Sequence, residues 1–375
     1  MTSHSPERVD TIVIGGGQTG LMVGHELSRQ GVDYVILDAH RRVGDAWRQR
    51  WDSLLLFTPA RMNALPGLSF PARGSEYVSK DDVADYLEDY ARQMSLPIRN
   101  GIRVENMTRE DDTYVVTTNQ GTLRASNVVV AMANYQVPRT PVFAADLGPD
   151  VIQMHSSQYR NPEQLQEGDV LVVGMGNSGA DIALEVAGTH RTLASGTETG
   201  HVPFRLEGPF GKWIGVRLVR FVAVNVLNTA TMVGRKARPK MLGKAAPLVR
   251  VKPKDLAAAG VERVPRIEGV TNGLPTTEDG RVLDVTNVIW CTGFQAGFSW
   301  IDLQVFDETG KPRHERGVVH DHPGLYFVGL FFLHSLWSET LTGMQADARY
   351  VVRHLVDRTD ALETAVVGSG NAPPK

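Results

Sequence analysis

Two copies of one short pattern, lying about half a chain apart, constrain this sequence of 375 residues more than any other feature. In each copy an apolar run breaks at glycines spaced G-x-G-x-x-G and then gives way to helical periodicity. VDTIVI precedes GGGQTG and LMVGHELSRQ, with Gly31 as the stop, and DVLVV precedes GMGNSG and ADIALEVA, with Gly188 as the stop. A further strand follows each helix, DYVIL closing at Asp38 and RTLASG closing at Gly196, so each copy reads as a βαβ unit. Gly15, Gly17 and Gly20, and again Gly174, Gly176 and Gly179, meet the needs of a tight turn, close backbone approach to a pyrophosphate and close helix–sheet packing. The N-terminus of each helix then faces the phosphates with its partial positive charge. Asp38 lies about 20 residues downstream, where an acid binds ribose hydroxyls. Two such units predict two dinucleotides handled together, one a flavin and the other a hydride donor.

The second unit carries Ser195, Gly196 and Thr197 where Asp38 stands in the first. Without an acid, repulsion of a 2'-phosphate disappears, and Arg205 or Arg191 could supply positive charge, which favours NADPH over NADH. Glu198 argues the other way, and both arginines also read as solvated surface residues.

The predicted fold class is α/β, with two Rossmann-like dinucleotide-binding domains, the second inserted in the first. Residues 1–145 and 290–365 form the first domain in this reading. Residues 146–289 form the second, with an inserted helical segment near 208–245, and 366–375 form a disordered tail. The proline-punctuated stretch from Val137 to Pro149 reads as the first crossing between them. A net charge of −3 excludes the basic excess of a nucleic-acid binder. Cys291 is the single cysteine, so an internal disulfide and thiol relay chemistry are excluded, and a reducing cytoplasm is the expected compartment. The eleven histidines show no pairing that suggests a metal site.

Trp213 to Val233 is rich in Val, Leu and Phe and is followed by Arg235, Lys236, Arg238 and Lys240. Apolar residues gain about 0.3–0.6 kcal/mol each on insertion, and Arg217 and Arg220 cost roughly 2.5–3.5 kcal/mol each at bilayer depth. The terms about cancel, and Asn225 and Asn228 turn the balance against a span. What remains is an amphipathic helix that covers a pocket or lies on a membrane surface.

Several further stretches carry a resemblance. GDAW at Gly44 to Trp47, WDSLLLFTP at Trp51 to Pro59, LPG at Leu65 to Gly67, HVPFR at His201 to Arg205, VIWCTGF at Val288 to Phe294 and PGLYFVGL at Pro323 to Leu330 join the two glycine loops. With them the chain resembles, over nearly its whole length, the class B flavoprotein monooxygenases, which include flavin-containing monooxygenases, plant YUCCA enzymes and bacterial CzcO-like flavoproteins. The resemblance implies FAD at the first loop and NADPH at the second, NADH being possible. Gln18, Thr19, Trp47, Arg48, Val104, Ala131 and Gly329 join the first loop's glycines and Asp38 as expected cofactor contacts, as do Asn177, Ser178, Arg205 and Gly293 beside the second loop's glycines. It further implies that GDAW lines the flavin ring, that WCTGF is a hinge between domains, and that the helix after FFLHSLWSETLTG packs near the flavin.

Departures bear on the chemistry. The family's FxGxxxHxxxY identifier survives only as His155 and Tyr159, since Pro149 and Val151 occupy the Phe and Gly places, and the pair could equally be packing. Tyr159 stands where the Baeyer–Villiger branch has Trp, which disfavours lactone or ester formation. AMA at Ala131 to Ala133 replaces an ATG-type hinge and loses its glycine. The flavin-side Asn of the animal enzymes falls on Phe57, nearer to the plant branch.

The resemblance implies that NAD(P)H reduces FAD and that a C4a-hydroperoxyflavin passes one oxygen to a small organic substrate, either a 2-oxo acid that is decarboxylated or a soft nitrogen or sulfur. Thr58 is the candidate flavin-side hydrogen-bond donor and Phe57 its neighbour in the catalytic wall. Trp47, Leu56, Phe57, Phe331, Phe332 and Trp337 are expected to keep water out, although each also reads as plain core. Two alternatives stand beside this reading: an NAD(P)H-dependent flavin reductase or oxidase, and a redox-sensing accessory to ion transport. Expected partners are the small-molecule substrate and dioxygen, with no nucleic acid and at most peripheral membrane contact.

Overall fold

The structure, a computed structural model, describes residues 6–72, 77–197, 199–202, 204, 208, 211–242 and 246–370. The chain opens with β1 (Glu7–Ile14), α1 (Gln18–Arg29) and β2 (Tyr34–Asp38), as the first βαβ pattern predicts. Then come α2 (Asp45–Arg48), β3 (Leu55–Pro59), β4 (Tyr77–Ser79), α3 (Lys80–Gln93), β5 (Ile98–Asn100), β6 (Val104–Glu110), β7 (Thr113–Thr118), β8 (Gly121–Val130) and β9 (Val137–Pro138). The second unit runs through β10 (Ile152–His155), β11 (Val170–Val173), α4 (Asn177–Val186) and β12 (Thr192–Ser195). It continues through α5 (Val216–Phe221), α6 (Met232–Met241), α7 (Pro253–Ala258), β13 (Glu262–Val264), β14 (Ile267–Thr271), β15 (Leu274–Thr277) and β16 (Asn287–Trp290). β17 (Phe294–Gln295), β18 (Leu325–Phe327) and α8 (Leu341–Gly370) close the chain.

The first sheet has the order β5-β2-β1-β8-β7-β6, with β18 also paired to β8. β1, β2, β5, β8 and β18 run parallel, and β6 and β7 form an antiparallel meander on β8. Because side chains alternate across a strand, β1 feeds two cores. Ile12 and Ile14 pack on one face with Val128, Val130 and Phe327, while Val13 packs on the other with Leu21, Val129 and Tyr326. α1 and α8 cover that second face, where Ala348, Val351 and Leu355 are fully buried. Val351 and Leu355 each contribute about 1.5–3 kcal/mol by leaving water.

The second sheet, β10-β16-β11-β12-β13, is wholly parallel. Val170 and Val172 of β11 face α4, and Leu171 and Val173 face a separate cluster with Trp290. Trp290 ends β16 and so belongs to this sheet, although the expected boundary placed residue 290 in the first domain. The run NVIWCTGF carries two strands, as the expected hinge there allows: the chain turns at Cys291–Gly293, where Gly293 has φ +81°, and Phe294–Gln295 pairs with Val137–Pro138. The two crossings between the sheets therefore form one antiparallel ribbon, and the stretch read as a linker contributes a strand to it.

α8 continues to Gly370, past the point where the tail was expected to begin, and residues 371–375 lie outside the described residues. The apolar-basic stretch forms a continuous helical run, α5 flanked by π turns at Gly211–Gly215 and Val222–Val226, followed by α6. Among the described residues no helix is long and apolar enough to cross a membrane.

Candidate functional site

The first glycine turn is shaped by its neighbours. Gly15 has φ +109°, and a β-carbon there would lie 3.0 Å from the carbonyl oxygen of Ala131. One on Gly20 would overlap the Gly15 carbonyl, which is how closely α1 rests on β1. Gly17 is different: its φ is −75° and a β-carbon would meet nothing within 4 Å. The fold does not demand a glycine there, but a ligand seated on the helix N-terminus would. Asp38, at the end of β2, accepts from Gly16 N at 2.8 Å with one oxygen, and from His40 N at 2.7 Å and His40 Nδ1 at 2.9 Å with the other. That bond raises the His40 pKa against the effect of burial. Gln18 accepts from Trp47 Nε1 at 3.2 Å, drawing GDAW onto the turn. Thr19 donates to Met344 Sδ at 3.0 Å and lies under Gly329, whose φ of +83° lets the end of β18 approach. Val104 begins β6, two residues beyond Ile102, whose N–H donates to Asp38 O at 2.9 Å. The open cradle, the helix tip and the carboxylate together fit the adenosine diphosphate half of FAD.

Arg48, an expected cofactor contact, donates from its guanidinium to Val43 O at 2.7 Å and to Asp85 and Glu88 at 2.8 Å each, so it pins α2 to α3.

The second turn repeats the first. Gly174 has φ +103°, and a β-carbon there would strike the Cys291 carbonyl, as one on Gly179 would strike that of Gly174. Gly176 caps α4. Asn177 donates to Pro247 O at 3.2 Å and accepts from Val249 N at 3.0 Å, holding that strap beside the helix tip, while Ser178 is exposed. Burial pushes the Cys291 thiol up to about 12, which favours its protonated form.

At the ribose corner the predicted cations change. Arg191 precedes β12, at the opposite end of the strand from Ser195, and pairs with Asp169 at 2.5 Å and Glu262 at 2.7 Å. It therefore cannot serve a ligand at the glycine turn. Arg205 and Glu198 lie outside the described residues. Ser195 turns inward, donating to Pro265 O at 2.8 Å and accepting from Ile267 N at 3.2 Å. Arg263, which sequence reasoning missed, brings NH2 to Gly196 O at 2.7 Å. Its signal was faint, a cation in a three-residue strand with no motif around it.

Between the turns, several polar groups gather on the ribbon. His155 Nε2 lies 3.0 Å from Gly293 O and its ring meets Phe294 edge to face at 4.9 Å. Tyr159 is fully buried and donates to Glu185 Oε2 at 2.8 Å. The surviving pair of the identifier thus ties β10 to the hinge and to α4. Tyr135 also meets Phe294 edge to face, at 5.9 Å, and donates to Glu339 Oε2. Arg50 lies 5.7 Å over the same ring. It donates to Ala46 O and has no carboxylate partner among the described residues, and burial lowers its pKa. Sequence reasoning missed Arg50, Tyr135 and Glu339 because three distant segments supply them.

Thr58 was expected to donate toward the flavin, but its hydroxyl donates to Asn63 Oδ1 at 2.6 Å, and the fully buried Asn63 returns a bond from Nδ2 to Thr58 O at 3.1 Å. The hydroxyl can still accept. Phe57 is 42% exposed, whereas Phe332 is fully buried and belongs to the core. Trp47, Phe331 and Trp337 are half-buried and Leu56 is buried.

The sequence profile of the family described as pyridine nucleotide-disulphide oxidoreductase matches residues 12–199. An uncharacterized CzcO-like oxidoreductase of Geobacillus kaustophilus is 38% identical over 352 residues, covering 93% of this chain and 99% of that one. The probable indole-3-pyruvate monooxygenase YUCCA3 of Arabidopsis thaliana is 27% identical, covering 92% and 86%. A flavin-containing monooxygenase from Stenotrophomonas maltophilia superposes with a TM-score of 0.75 at 28% identity, covering 94% and 99%.

Proposed function

The chain belongs to the pyridine nucleotide-disulphide oxidoreductase family, and from that premise we propose that it is an FAD-dependent monooxygenase, reduced by NADPH, that oxygenates a small organic acid. The observation that carries this reading is the shared seat of the two glycine turns. Gly15 rests on Ala131 and Gly174 on Cys291, and the segments leaving those two residues pair as one ribbon, β9 with β17. Two nucleotides bound at those turns would meet at the ribbon's base.

When bound, flavin supplies the two-electron chemistry that couples nicotinamide oxidation to activation of dioxygen. The chain's residues bind and shield. Asp38 offers its carboxylate to ribose hydroxyls, Gly17 leaves room for the pyrophosphate, and Trp47, Phe57 and Trp337 limit water. Arg50 is a cation available to a substrate carboxylate, since a half-buried guanidinium with no carboxylate partner among the described residues gains from one. The substrate class is a 2-oxo acid: it loses its carboxyl as carbon dioxide and departs as the shorter carboxylic acid, with one atom of dioxygen in the product and the other in water. The plant relative named as a probable indole-3-pyruvate monooxygenase supports this choice over nitrogen or sulfur acceptors.

The test is purified protein with NADPH, labelled dioxygen and a panel of aryl 2-oxo acids. Label in the product acid and NADPH use that depends on substrate are expected. Substrate-independent NADPH use with peroxide as the only product would replace this reading with the reductase or oxidase one, and a colourless protein that cannot take up flavin would end both.

A further inference from the structure

We propose that the helical run from Gly211 to Leu242 is a docking surface for an anionic lipid bilayer. Between Glu207 and Asp255 the sequence has eleven Lys and Arg and no Asp or Glu, in a chain where acids outnumber bases overall. Charge of one sign over so long a stretch is a field, and it selects an anionic partner.

The structure separates the faces of this run. Gly215 and Ala223 are buried, and a β-carbon on Gly215 would overlap the Phe204 ring, so the small residues let one side lie close on the body. Ile214, Leu218, Phe221 and Val222 recur at helical spacing on the other side and are 58%, 54%, 59% and 37% exposed. Met232 and Val233, after the turn, are 68% and 56% exposed. These are six of the thirteen exposed large hydrophobic residues among the described ones, and they fall within twenty positions, so exposed apolar surface is concentrated in this run. Exposed Arg217 and Arg220 flank these residues in the first helix, as do Lys236 and Lys240 in α6.

The inner edge is fixed. Leu336 N donates to Leu227 O at 2.9 Å, Thr229 N to His334 O at 2.8 Å and Arg238 Nε to Phe332 O at 3.0 Å. The two expectations for this stretch, a cover on the body and a membrane contact, are thus compatible: one edge grips the 332–336 wall while the opposite face is left open. Apolar side chains ringed by cations fit the boundary between headgroups and acyl chains, with the helix lying flat. An acidic protein surface would match the cations but would offer less to Phe221 and Leu218.

Flotation of the full-length protein with phosphatidylcholine vesicles, plain or doped with phosphatidylglycerol, tests this. Binding to the doped vesicles that is released by high salt is expected. The pair Leu218→Asp and Phe221→Asp should lower the partition coefficient about tenfold or more. The set Arg217→Gln, Arg220→Gln, Lys236→Gln and Lys240→Gln should do the same. Flavin content and the unfolding midpoint, measured on each variant, confirm that it is folded. No flotation of the wild type, equal flotation on neutral and doped vesicles, or binding that all six substitutions leave unchanged would each overturn the proposal. So would binding to heparin without binding to vesicles, which would assign the surface to a soluble polyanion.

Discussion

Tyr135 donates its hydroxyl proton to Glu339 Oε2 over 2.8 Å, tying the crossing that leaves β8 to the loop that enters α8. Burial raises the Glu339 carboxyl above its ordinary value, and the Tyr135 bond opposes that rise by stabilising the ionised form. A carboxyl raised in the folded state adds stability that is fully present below its unfolded pKa and lost as pH climbs through the folded one. Tyr135→Phe removes the opposing bond, so the loss should move to higher pH, and Glu339→Gln should abolish it. Unfolding midpoints across a pH series check this; superimposable curves for wild type and Tyr135→Phe would show that the pair does not set the titration.

Gly17 and Gly20 should respond oppositely to alanine. At Gly20 a β-carbon collides with the Gly15 carbonyl, and overpacking of this kind typically costs about 1–3 kcal/mol or more. At Gly17 it enters open space at an ordinary φ. Gly17→Ala should therefore melt like the wild type when both are stripped of flavin, yet retain much less flavin after purification. Full flavin occupancy in Gly17→Ala would mean that the pyrophosphate does not approach this turn.

Local patterns were legible in the sequence and long-range gatherings were not. Both βαβ units, their glycine stops and Asp38 follow from apolar periodicity and turn chemistry, which act over a few residues. The ion-pair partners of Arg48, Asp85 and Glu88, were not legible because they lie on a helix some forty residues away that no local motif announces. Arg191 precedes the strand that Ser195 closes, and its partners Asp169 and Glu262 come from other segments that no local pattern announces. The cluster on Phe294 needs residues 50, 135, 155 and 339, and only closure of the β9–β17 ribbon brings them together.

Ala133, in the hinge position that lost its glycine, has φ +58°. A left-handed alanine costs roughly 1 kcal/mol, and Ala→Gly ordinarily costs about 0.5–1 kcal/mol through unfolded-state entropy. Here the two terms oppose, so Ala133→Gly should leave the melting midpoint unchanged or slightly raised. A loss as large as that of Ala→Gly in an ordinary helix would show that the conformation is not strained.

Asp347 is buried against α8's neighbours, with Arg316 Nε 3.9 Å away, and burial raises its carboxyl to about 6. By the same linkage, ionising it costs stability between about pH 4 and pH 6, on the order of 3 kcal/mol at most. Asp347→Asn should lack that step, so its midpoint should gain on the wild type as pH rises from 4 to 7. Parallel curves would place the titration elsewhere.

Arg50 makes the sharpest demand on the proposed substrate class. A guanidinium held over Phe294 without a carboxylate partner among the described residues is poorly compensated, so Arg50→Gln should leave the unfolding midpoint unchanged or higher. If the cation binds the substrate's carboxylate, the same change should raise KM for an aryl 2-oxo acid by about 10- to 100-fold, the usual worth of a charge-assisted bond. Arg50→Lys should recover only part of this, because an ammonium lacks the planar fork. The corresponding 2-oxo amide, which has no charge to lose, should bind wild type and Arg50→Gln alike. Binding of acid and amide, followed by quenching of flavin fluorescence, separates the cases, and an equal loss for both ligands would move Arg50 from substrate recognition to support of the cleft wall.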